Sequence, residues 1–245
     1  MPVHSNSEQY ELDLEGAAVA QEPRLLVEAL AGRLVVSCQA SANHPMRSTE
    51  AIVRMAESAI LGGAAGLRIN SPDDVRAVRP LTGLPIIGLD KEQGARRNVI
   101  TARIDQAAEL VGAGADIVAI DATTEVIDDI AGHVRRMIDA IGVPVMADVS
   151  TLDEGLRAAE GGATFVGTTL SGYTPYTQRL DQSPDVELVG ALAASGIRVV
   201  AEGRYASPAD VRRAFDAGAF AVVVGGAITD PVAITRRFVA ATRKR

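Results

Sequence analysis

One stretch decides the fold of this chain: residues 198–231 read RVVAEGRYASPADVRRAFDAGAFAVVVGGAITDP. Its two runs Arg198–Ala201 and Phe220–Val224 are apolar without polar alternation, which predicts strands buried on both faces, as in a parallel sheet. Between them, Ser207 and Pro208 provide the N-cap and the first-turn proline of a helix. The stretch therefore predicts a strand–helix–strand unit.

A glycine pair, Gly225 and Gly226, follows the second of these strands and precedes another helix. Backbone N–H groups at such a turn can face an anion. Many (β/α)8 barrels bind phosphate in this way in their last quarter.

The same unit recurs along the chain. Six further short apolar runs are predicted strands: Leu34–Cys38, Ala65–Ile69, Pro85–Leu89, Ile117–Ile120, Pro144–Ala147 and Thr164–Gly167. Segments with helical periodicity lie between the strands, for example Thr49–Leu61 and Ala102–Val111, and this alternation is typical of parallel βαβ units. We therefore predict an α/β protein with one closed (β/α)8 TIM barrel of the phosphate-binding type over residues 23–245, in preference to an open sheet.

A glycine–alanine pair leads into each even-numbered strand, about every fifty residues, as a repeat architecture requires. The glycines are Gly63, Gly114, Gly162 and Gly218. Each is expected to end a helix in the left-handed conformation and to turn the chain into the next strand.

Composition narrows the class of protein. The 245 residues are 47% apolar and only 3% aromatic, which indicates an aliphatic core. The net charge of −7 makes nucleic acid a poor partner, so a phosphate site has to be a local feature. The single cysteine, Cys38, excludes an internal disulfide and a cysteine metal cluster.

The chain contains no apolar run of the roughly 18 residues that cross a membrane. Its acidic, polar start lacks the features of a signal peptide, so we expect a cytoplasmic protein with no membrane partner. Residues 1–22 are interpreted as a mobile N-terminal tail, and a short helix starting at Pro23 as a cap on the barrel floor.

Polar side chains follow almost every predicted strand, at the barrel end where catalysis takes place. Among them, Lys91 follows the third strand and Glu202 the seventh, and these strands are diametrically opposed in an eight-stranded ring. A reaction that removes a proton from one face of a carbon and returns one to the other needs such a pair. The alternative is a salt bridge across the barrel mouth.

Other residues at the strand ends leave two interpretations open. Arg68 either orients a hydroxyl or oxyanion, or pairs with Asp90 or Asp121. Gln39 either binds a sugar hydroxyl or supports its loop. No histidine stands at a strand end, so we expect no metal at Asp121 or Asp148.

The hydroxyl-rich loop SGYTPYT, residues 171–177, contains Thr174 and is either a substrate lid or a turn, with the lid slightly favoured. Cys38 is expected to be a packed residue and not a nucleophile, because no histidine adjoins it.

Eight motifs occur in order at the strand ends: VSCQA (36–40), GLRIN (66–70), LPIIGLDK (84–91), ADIVAIDAT (115–123), MADVST (146–151), GTTLSGYTPYT (167–177), AEGRY (201–205) and VVGGAIT (223–229). Together they resemble the N-acetylmannosamine-6-phosphate 2-epimerase family, from about Gly32 to the C-terminus. The resemblance implies a (β/α)8 barrel that interconverts N-acetylmannosamine 6-phosphate and N-acetylglucosamine 6-phosphate in sialic acid breakdown. It implies no cofactor.

The resemblance also implies roles for particular residues. Lys91 matches the catalytic lysine that moves the C2 proton, and Glu202 matches the catalytic glutamate. The expected substrate-binding residues are Gln39, Arg68, Asp121, Thr174, Gly203, Arg204, Gly225 and Gly226. The expected partner is a small amino sugar phosphate, and a homo-oligomer is left open.

Three segments differ from the family pattern, and each difference removes positive charge from the barrel mouth. Glu92-Gln93-Gly94 replaces Arg-Asp-Tyr, residues 124–127 replace an Arg-Pro segment, and Asp230 stands where the family has arginine. Arg204 is then the basic residue left in position for a phosphate. Asp230 is either the N-cap of the last helix or a carboxylate that weakens phosphate binding, and we weigh the two equally.

Rival functions fit less well. A phosphate-barrel decarboxylase needs Asp-x-Lys-x-x-Asp, and here Leu89 and Gly94 occupy the acidic positions. A pentulose-phosphate epimerase needs metal-binding histidines at the strand ends. A non-catalytic sugar-phosphate-binding barrel and an epimerase for a related acylated sugar remain as alternatives.

Overall fold

The structure, a computed structural model, describes residues 23–178 and 183–242. The predicted mobile tail, residues 1–22, lies outside the described residues. The described part contains the strands β1 (Arg33–Cys38), β2 (Gly66–Asn70), β3 (Ile86–Leu89), β4 (Lys91–Gln93), β5 (Asn98–Ile100), β6 (Ile117–Asp121), β7 (Val145–Asp148), β8 (Phe165–Gly167), β9 (Val199–Ala201) and β10 (Ala221–Val224).

The helices alternate with the strands. They are α1 (Pro23–Glu28), α2 (Thr49–Leu61), α3 (Pro72–Val78), α4 (Ile104–Ala113), α5 (Ile130–Ile141), α6 (Leu152–Glu160), α7 (Val186–Ala194), α8 (Pro208–Asp216), α9 (Gly226–Thr229) and α10 (Pro231–Ala240). No helix within residues 23–178 and 183–242 is long and apolar enough to cross a lipid bilayer.

Eight parallel strands close into a barrel in the order β1-β10-β9-β8-β7-β6-β3-β2. The ring closes where β1 pairs with β10, with Arg33 opposite Ala221 and Val36 opposite Val224. The predicted (β/α)8 barrel is confirmed, and each predicted strand boundary lies within one residue of the observed one.

The predicted start of α8 is confirmed, and the predicted bounds of two other helices can be compared with the structure. The Ser207 hydroxyl accepts a hydrogen bond from the backbone N–H of Asp210, and Pro208 opens α8. Helix α2 has the predicted bounds, whereas α4 begins and ends two residues later than expected, because it runs on to a C-cap at Gly114.

The repeated glycines adopt the predicted backbone conformation. Their φ angles are 86° at Gly63, 106° at Gly114, 95° at Gly162 and 98° at Gly218. These angles are in the left-handed region, which glycine enters at little cost. Each turns the chain from a helix into an even-numbered barrel strand, as the repeat predicts.

Side chains alternate along each barrel strand between two apolar clusters. On β1, for example, Val35 belongs to the interior cluster and Val36 to the cluster beneath the surrounding helices. Leu30, just after α1, is fully buried and packs in the interior cluster with Val27 and Val35. The predicted helix on the barrel floor is therefore confirmed.

The hairpin of β4 and β5 is a feature that the sequence pattern did not predict. Its strands are antiparallel, with Lys91 opposite Ile100 and Gln93 opposite Asn98. The segment is charged and largely exposed, so it carries no alternation of apolar and polar residues. The hairpin follows β3 directly and thus places Lys91 at the barrel mouth.

Candidate active site

A buried arginine crosses the upper interior of the barrel. Arg68 points inward from β2, is 1% exposed, and forms an ion pair with Asp148 of β7 at 2.5 Å between Nη2 and Oδ2. Its Nη1 also forms an ion pair with Glu202, which follows β9. The alternative in which Arg68 pairs with Asp90 or Asp121 is not what the structure shows, because other side chains engage both of those carboxylates.

The barrel interior has room for this ion pair because Gly167 of β8 lacks a side chain. A Cβ atom at Gly167 would lie 2.7 Å from Oδ1 of Asp148 and 2.4 Å from Cε of Met146. A larger residue would therefore displace the carboxylate that holds Arg68.

Glu202 presents its carboxylate to the mouth from the β9 side. Its side chain is 15% exposed and accepts hydrogen bonds from Arg68 and from the Thr169 hydroxyl, the latter at 3.3 Å. The backbone N–H of Glu202 donates to the Thr168 hydroxyl at 3.1 Å. These bonds fix the carboxylate at the edge of the interior, where a ligand can still reach it.

Lys91 stands on the opposite side of the mouth, since β3 and β9 are four positions apart in the ring. Its Nζ donates to Oε1 of Gln39 at 2.7 Å, and its backbone N–H donates to Oδ1 of Asn70. Although the residue is exposed at the open mouth, the protein around its ammonium removes part of its hydration. This desolvation, reinforced by the positive charge of Arg68 and opposed by Asp148, lowers the pKa of Lys91 to about 8.

Lys91 and Glu202 thus do not form the salt bridge that was the alternative to a catalytic pair. Each has its own partner, Gln39 for the lysine and Arg68 for the glutamate. Both line one cavity of about 670 Å³ at the carboxyl ends of the strands. The arrangement can place a small molecule between a base of lowered pKa and a carboxylate.

The predicted site residues divide into two groups. Eight of them line the cavity: Gln39, Arg68, Lys91, Glu202, Gly203, Arg204, Gly225 and Gly226. Asp121 and Thr174 do not. Their assignment as substrate-binding residues stays a prediction, since both side chains are buried in contacts with other protein groups.

Asp121 is covered by Arg97, a residue that the sequence reasoning missed. Arg97 lies in the turn of the β4–β5 hairpin and binds both oxygens of Asp121, with a distance of 2.5 Å from Nη1 to Oδ2. It also donates to Glu125 and to the Thr123 hydroxyl. No pattern in the sequence marks this contact, because it joins a hairpin turn to the loop after β6.

The loop 171–177 contains the hydroxyl-rich turn that was one of its two interpretations, and its role as a substrate lid stays a prediction. Thr174 is fully buried, and its hydroxyl bonds to those of Ser150 and Thr177, as in a hydroxyl-rich turn. Tyr173 instead lines the cavity, with its ring 5.2 Å from the guanidinium carbon of Arg204. One wall of the cavity is therefore built from this loop.

The last helix supplies a basic residue that the sequence reasoning also missed. Arg237 of α10 lines the cavity together with Arg204 and Arg97. The expectation that Arg204 is the basic residue left near a phosphate is therefore incomplete. Periodicity predicts the helix, but it does not identify the turn of α10 that faces the mouth.

Asp230 is the N-cap of α10, which was one of its two interpretations. Its Oδ1 accepts from the backbone N–H of Ala233 at 2.8 Å and contacts Nε2 of His44 at 3.1 Å. The hydrogen bond from Ala233, aided by His44, lowers the pKa of Asp230. Its side chain is not among those that line the cavity.

Within residues 23–178 and 183–242, no group of three or more His, Cys, Asp and Glu side chains is arranged to hold a metal ion. Cys38 is fully buried, and burial raises the pKa of its thiol to about 12. It is therefore a packed residue, as predicted.

The closed barrel and the acid–base groups at its mouth define an enzyme of the (β/α)8 class. The chain belongs to the N-acetylmannosamine-6-phosphate epimerase family, because residues 52–244 match the family described as putative N-acetylmannosamine-6-phosphate epimerase. The family resemblance of the eight motifs is confirmed, and members of this family are isomerases.

Two curated relatives illustrate the match. A protein of Clostridioides difficile (strain 630), described as a putative N-acetylmannosamine-6-phosphate 2-epimerase, is 40% identical over 220 residues, covering 88% of this chain and 98% of the relative. A protein of Cutibacterium acnes with the same description is 42% identical over 219 residues, covering 87% and 95%.

Solved structures agree. The N-acetylmannosamine-6-phosphate 2-epimerase from Clostridium perfringens superposes with a TM-score of 0.82 at 36% identity, covering 92% of this chain and 98% of that one. The thiamine phosphate pyrophosphorylase from Pyrococcus furiosus, at 18% identity and a TM-score of 0.59, shares the fold alone.

Proposed function

We propose that this chain inverts C2 of an N-acylhexosamine 6-phosphate, interconverting N-acetylmannosamine 6-phosphate and N-acetylglucosamine 6-phosphate in amino sugar catabolism. One observation carries the proposal: Lys91 and Glu202 line opposite sides of a single cavity, each with a separate partner. Membership of the 2-epimerase family supports the same reaction.

The proton transfers follow from the chemistry of the open-chain sugar. The hydrogen on C2 is acidic because it adjoins the C1 aldehyde of the ring-opened form. Neutral Lys91 takes this proton and becomes an ammonium. The electron pair of the C2–H bond forms a double bond between C1 and C2, the carbonyl pair moves to the C1 oxygen, and an enolate forms. Glu202, on the opposite side, starts the cycle as the protonated acid and gives its proton to the other face of C2, which completes the inversion. Exchange with water then removes the proton from the Lys91 ammonium and returns one to Glu202.

Neighbouring residues support these roles. Gln39 accepts a hydrogen bond from Nζ of Lys91, and its own amide donates to the Ser37 hydroxyl, so the lysine is directed into the cavity. Arg68 holds Glu202 in place and lowers the pKa of Lys91 through its positive charge. Desolvation and the charge of Arg68 together lower the pKa of Lys91 to about 8, which favours a base that is available near neutral pH.

We place the phosphate end of the substrate at the side of the cavity that the loops after β9 and β10 form. Gly203, Arg204, Gly225 and Gly226 line that side, after β9 and β10. Five cationic side chains and one carboxylate line the whole cavity, although the protein as a whole carries a net charge of −7. This local excess of positive charge favours an anionic sugar over a neutral one.

The deciding experiment is a conversion in deuterated water. Incubated with N-acetylmannosamine 6-phosphate, the enzyme is expected to produce N-acetylglucosamine 6-phosphate that carries deuterium at C2, as observed by NMR. Absence of both product and exchange at C2 would identify a non-catalytic binding barrel. Turnover of the unphosphorylated sugar alone would overturn the assignment of the phosphate substrate.

The cytoplasmic location, a homo-oligomeric assembly and the extent of the barrel domain to residue 245 stay predictions.

A further inference from the structure

Four arginines line the cavity, and they differ in how many of their N–H groups protein atoms already use. Arg97 uses all five, donating to Glu125, Asp121, Thr123 and the carbonyl of Asn98. Arg68 is buried against Asp148 and Glu202. Arg97 therefore has no free N–H group for a phosphate, and the Nε–H of Arg68, which has no partner among the described residues, is buried inside the barrel.

Arg237 is in a different position. To other described residues it makes one hydrogen bond, from Nη1 to the carbonyl oxygen of Ala206 at 3.1 Å. Among the described residues, no carboxylate forms an ion pair with it. An arginine has five N–H donors, so most of those on Arg237 remain available to a ligand in the cavity.

Arg204 is also only partly engaged. Its Nε donates to the carbonyl oxygen of Ser183 at 2.8 Å, and its guanidinium lies over the ring of Tyr173. Gly172 makes space for it, since a Cβ atom there would lie 2.4 Å from Nη1 of Arg204. The Ala206 carbonyl that holds Arg237 is two residues further along the same loop, so the two arginines belong to one side of the cavity.

The geometry of α10 explains why Arg237 faces the mouth. Ala233 and Arg237 are four residues apart, so they share one face of the helix, and both line the cavity. Asp230 fixes the start of this helix through its cap and its contact with His44. The neighbouring Arg236 is equally exposed but does not line the cavity.

We propose that Arg237 is a specificity-determining residue of this enzyme, which together with Arg204 binds the phosphate group of the sugar. This inference rests on the proposed function. A guanidinium binds phosphate oxygens with two parallel charge-assisted hydrogen bonds, and the partly free donors of Arg237 suit that geometry. In this chain, Asp230 stands near the same glycine turn, but its carboxylate is committed to the helix cap and to His44.

The test compares Arg237→Gln with Arg236→Gln, which removes the same charge from the adjacent position of the same helix. Arg237→Gln is expected to raise KM for N-acetylmannosamine 6-phosphate by about tenfold to a hundredfold, the usual effect of losing a hydrogen bond to a charged group. Its kcat should change less than about threefold, because the proton-transfer groups are untouched. Arg236→Gln should leave both constants within about twofold of the wild type.

Two further readouts separate a phosphate contact from a structural effect. KM for the unphosphorylated sugar should be the same in Arg237→Gln and in the wild type, and Arg237→Lys should recover part of the loss. Equal rises in KM for both sugars, or a KM for the phosphorylated sugar that matches that of Arg236→Gln, would overturn the proposal.

Calorimetric titration with inorganic phosphate keeps this test independent of the proposed reaction. If the wild type epimerises no sugar, the proposed function fails, yet weaker phosphate binding by Arg237→Gln than by Arg236→Gln would still support the site. If the wild type is active and both variants bind phosphate like the wild type, the assignment of Arg237 is wrong while the proposed function stands.

Discussion

The ammonium of Lys91 is adjusted by groups that it does not touch. Arg68 lies across the barrel interior, and its positive charge adds to the effect of desolvation in lowering the pKa of Lys91 to about 8. With this pKa, about a tenth of the molecules carry the neutral amine at pH 7, whereas an unperturbed lysine would be almost wholly protonated. Desolvation and the buried arginine together bring the pKa of Lys91 closer to neutral pH.

A pH profile tests this role of Lys91. Since only the neutral amine accepts a proton, kcat/KM is expected to show an ascending limb with a midpoint near pH 8. Lys91→Ala should lower turnover by at least about 10²-fold and abolish that limb of the profile, while circular dichroism shows an unchanged fold. Near-normal turnover of Lys91→Ala would exclude the lysine as the base.

A second prediction at this scale concerns Glu202. Glu202→Gln keeps the size of the side chain and an acceptor for Arg68 but removes its proton-transfer capacity. We expect kcat to fall by about 10²-fold or more, with a much smaller change in KM, as measured by steady-state kinetics. A variant with unchanged kcat and a raised KM would show that Glu202 only binds the substrate.

Lys91 and Glu202 could be predicted from the sequence as residues of the barrel mouth. Each directly follows a barrel strand whose position in the ring is set by the order of the strands along the chain. Their partners could not be predicted, since hydrogen bonds such as that from Lys91 to Gln39 join elements that are far apart in sequence. Arg97 was missed for the same reason, and it covers Asp121, which was expected to face the substrate.

At the scale of elements, one carboxylate at the start of α6 joins three loops around the mouth. Glu154 is fully buried and accepts hydrogen bonds from Thr124 after β6, from Ser150 after β7 and from Tyr176 after β8. Its bond to the backbone of Thr151 completes a capping box. One side chain therefore holds these three loops in fixed positions relative to one another.

Glu154→Ala is expected to destabilise the protein by at least about 3 kcal/mol, because several buried donors lose their partner. Urea denaturation measures the free energy of unfolding. The matched control is Asp153→Ala in the same turn, where the carboxylate is exposed and forms a surface ion pair with Arg157, so its cost should stay below about 1 kcal/mol. Equal losses in the two variants would contradict the role of Glu154.

The same carboxylate predicts the direction of a pH effect. Hydrogen bonds from Tyr176 and from the backbone outweigh desolvation and lower the pKa of Glu154 below its ordinary value of 4.5. A depressed pKa stabilises the fold above pH 4.5, and this contribution is lost as the pH falls through the folded-state value. The stability difference between wild type and Glu154→Ala should therefore shrink on acidification.

The β4–β5 hairpin shows why some elements escape prediction. Barrel strands are visible in the sequence because they are buried on both faces and therefore apolar throughout. The hairpin strands are three residues long and largely exposed, and they are held by contacts such as those of Arg97 with Asp121 and Glu125. Such contacts depend on the folded arrangement and leave no local pattern.

At the scale of the whole molecule, the barrel was predictable because the same unit is repeated eight times. Composition gave the sum of charges but not their placement. An acidic protein of net charge −7 collects Arg68, Lys91, Arg97, Arg204 and Arg237 around one cavity. Such a concentration of cations becomes visible only when the strands and helices are assembled.

The pairing of β1 with β10 also has a consequence for synthesis on the ribosome. Residues 33–36 bond to residues 221–224, so the ring stays open until almost the whole chain has been translated. Contacts between residues so distant in sequence are slow to form. The nascent barrel therefore exposes two unpaired strand edges in the meantime, which are sites of aggregation. Because Gly225, Gly226 and Arg237 come last, the half-made chain also lacks part of the lining of its cavity.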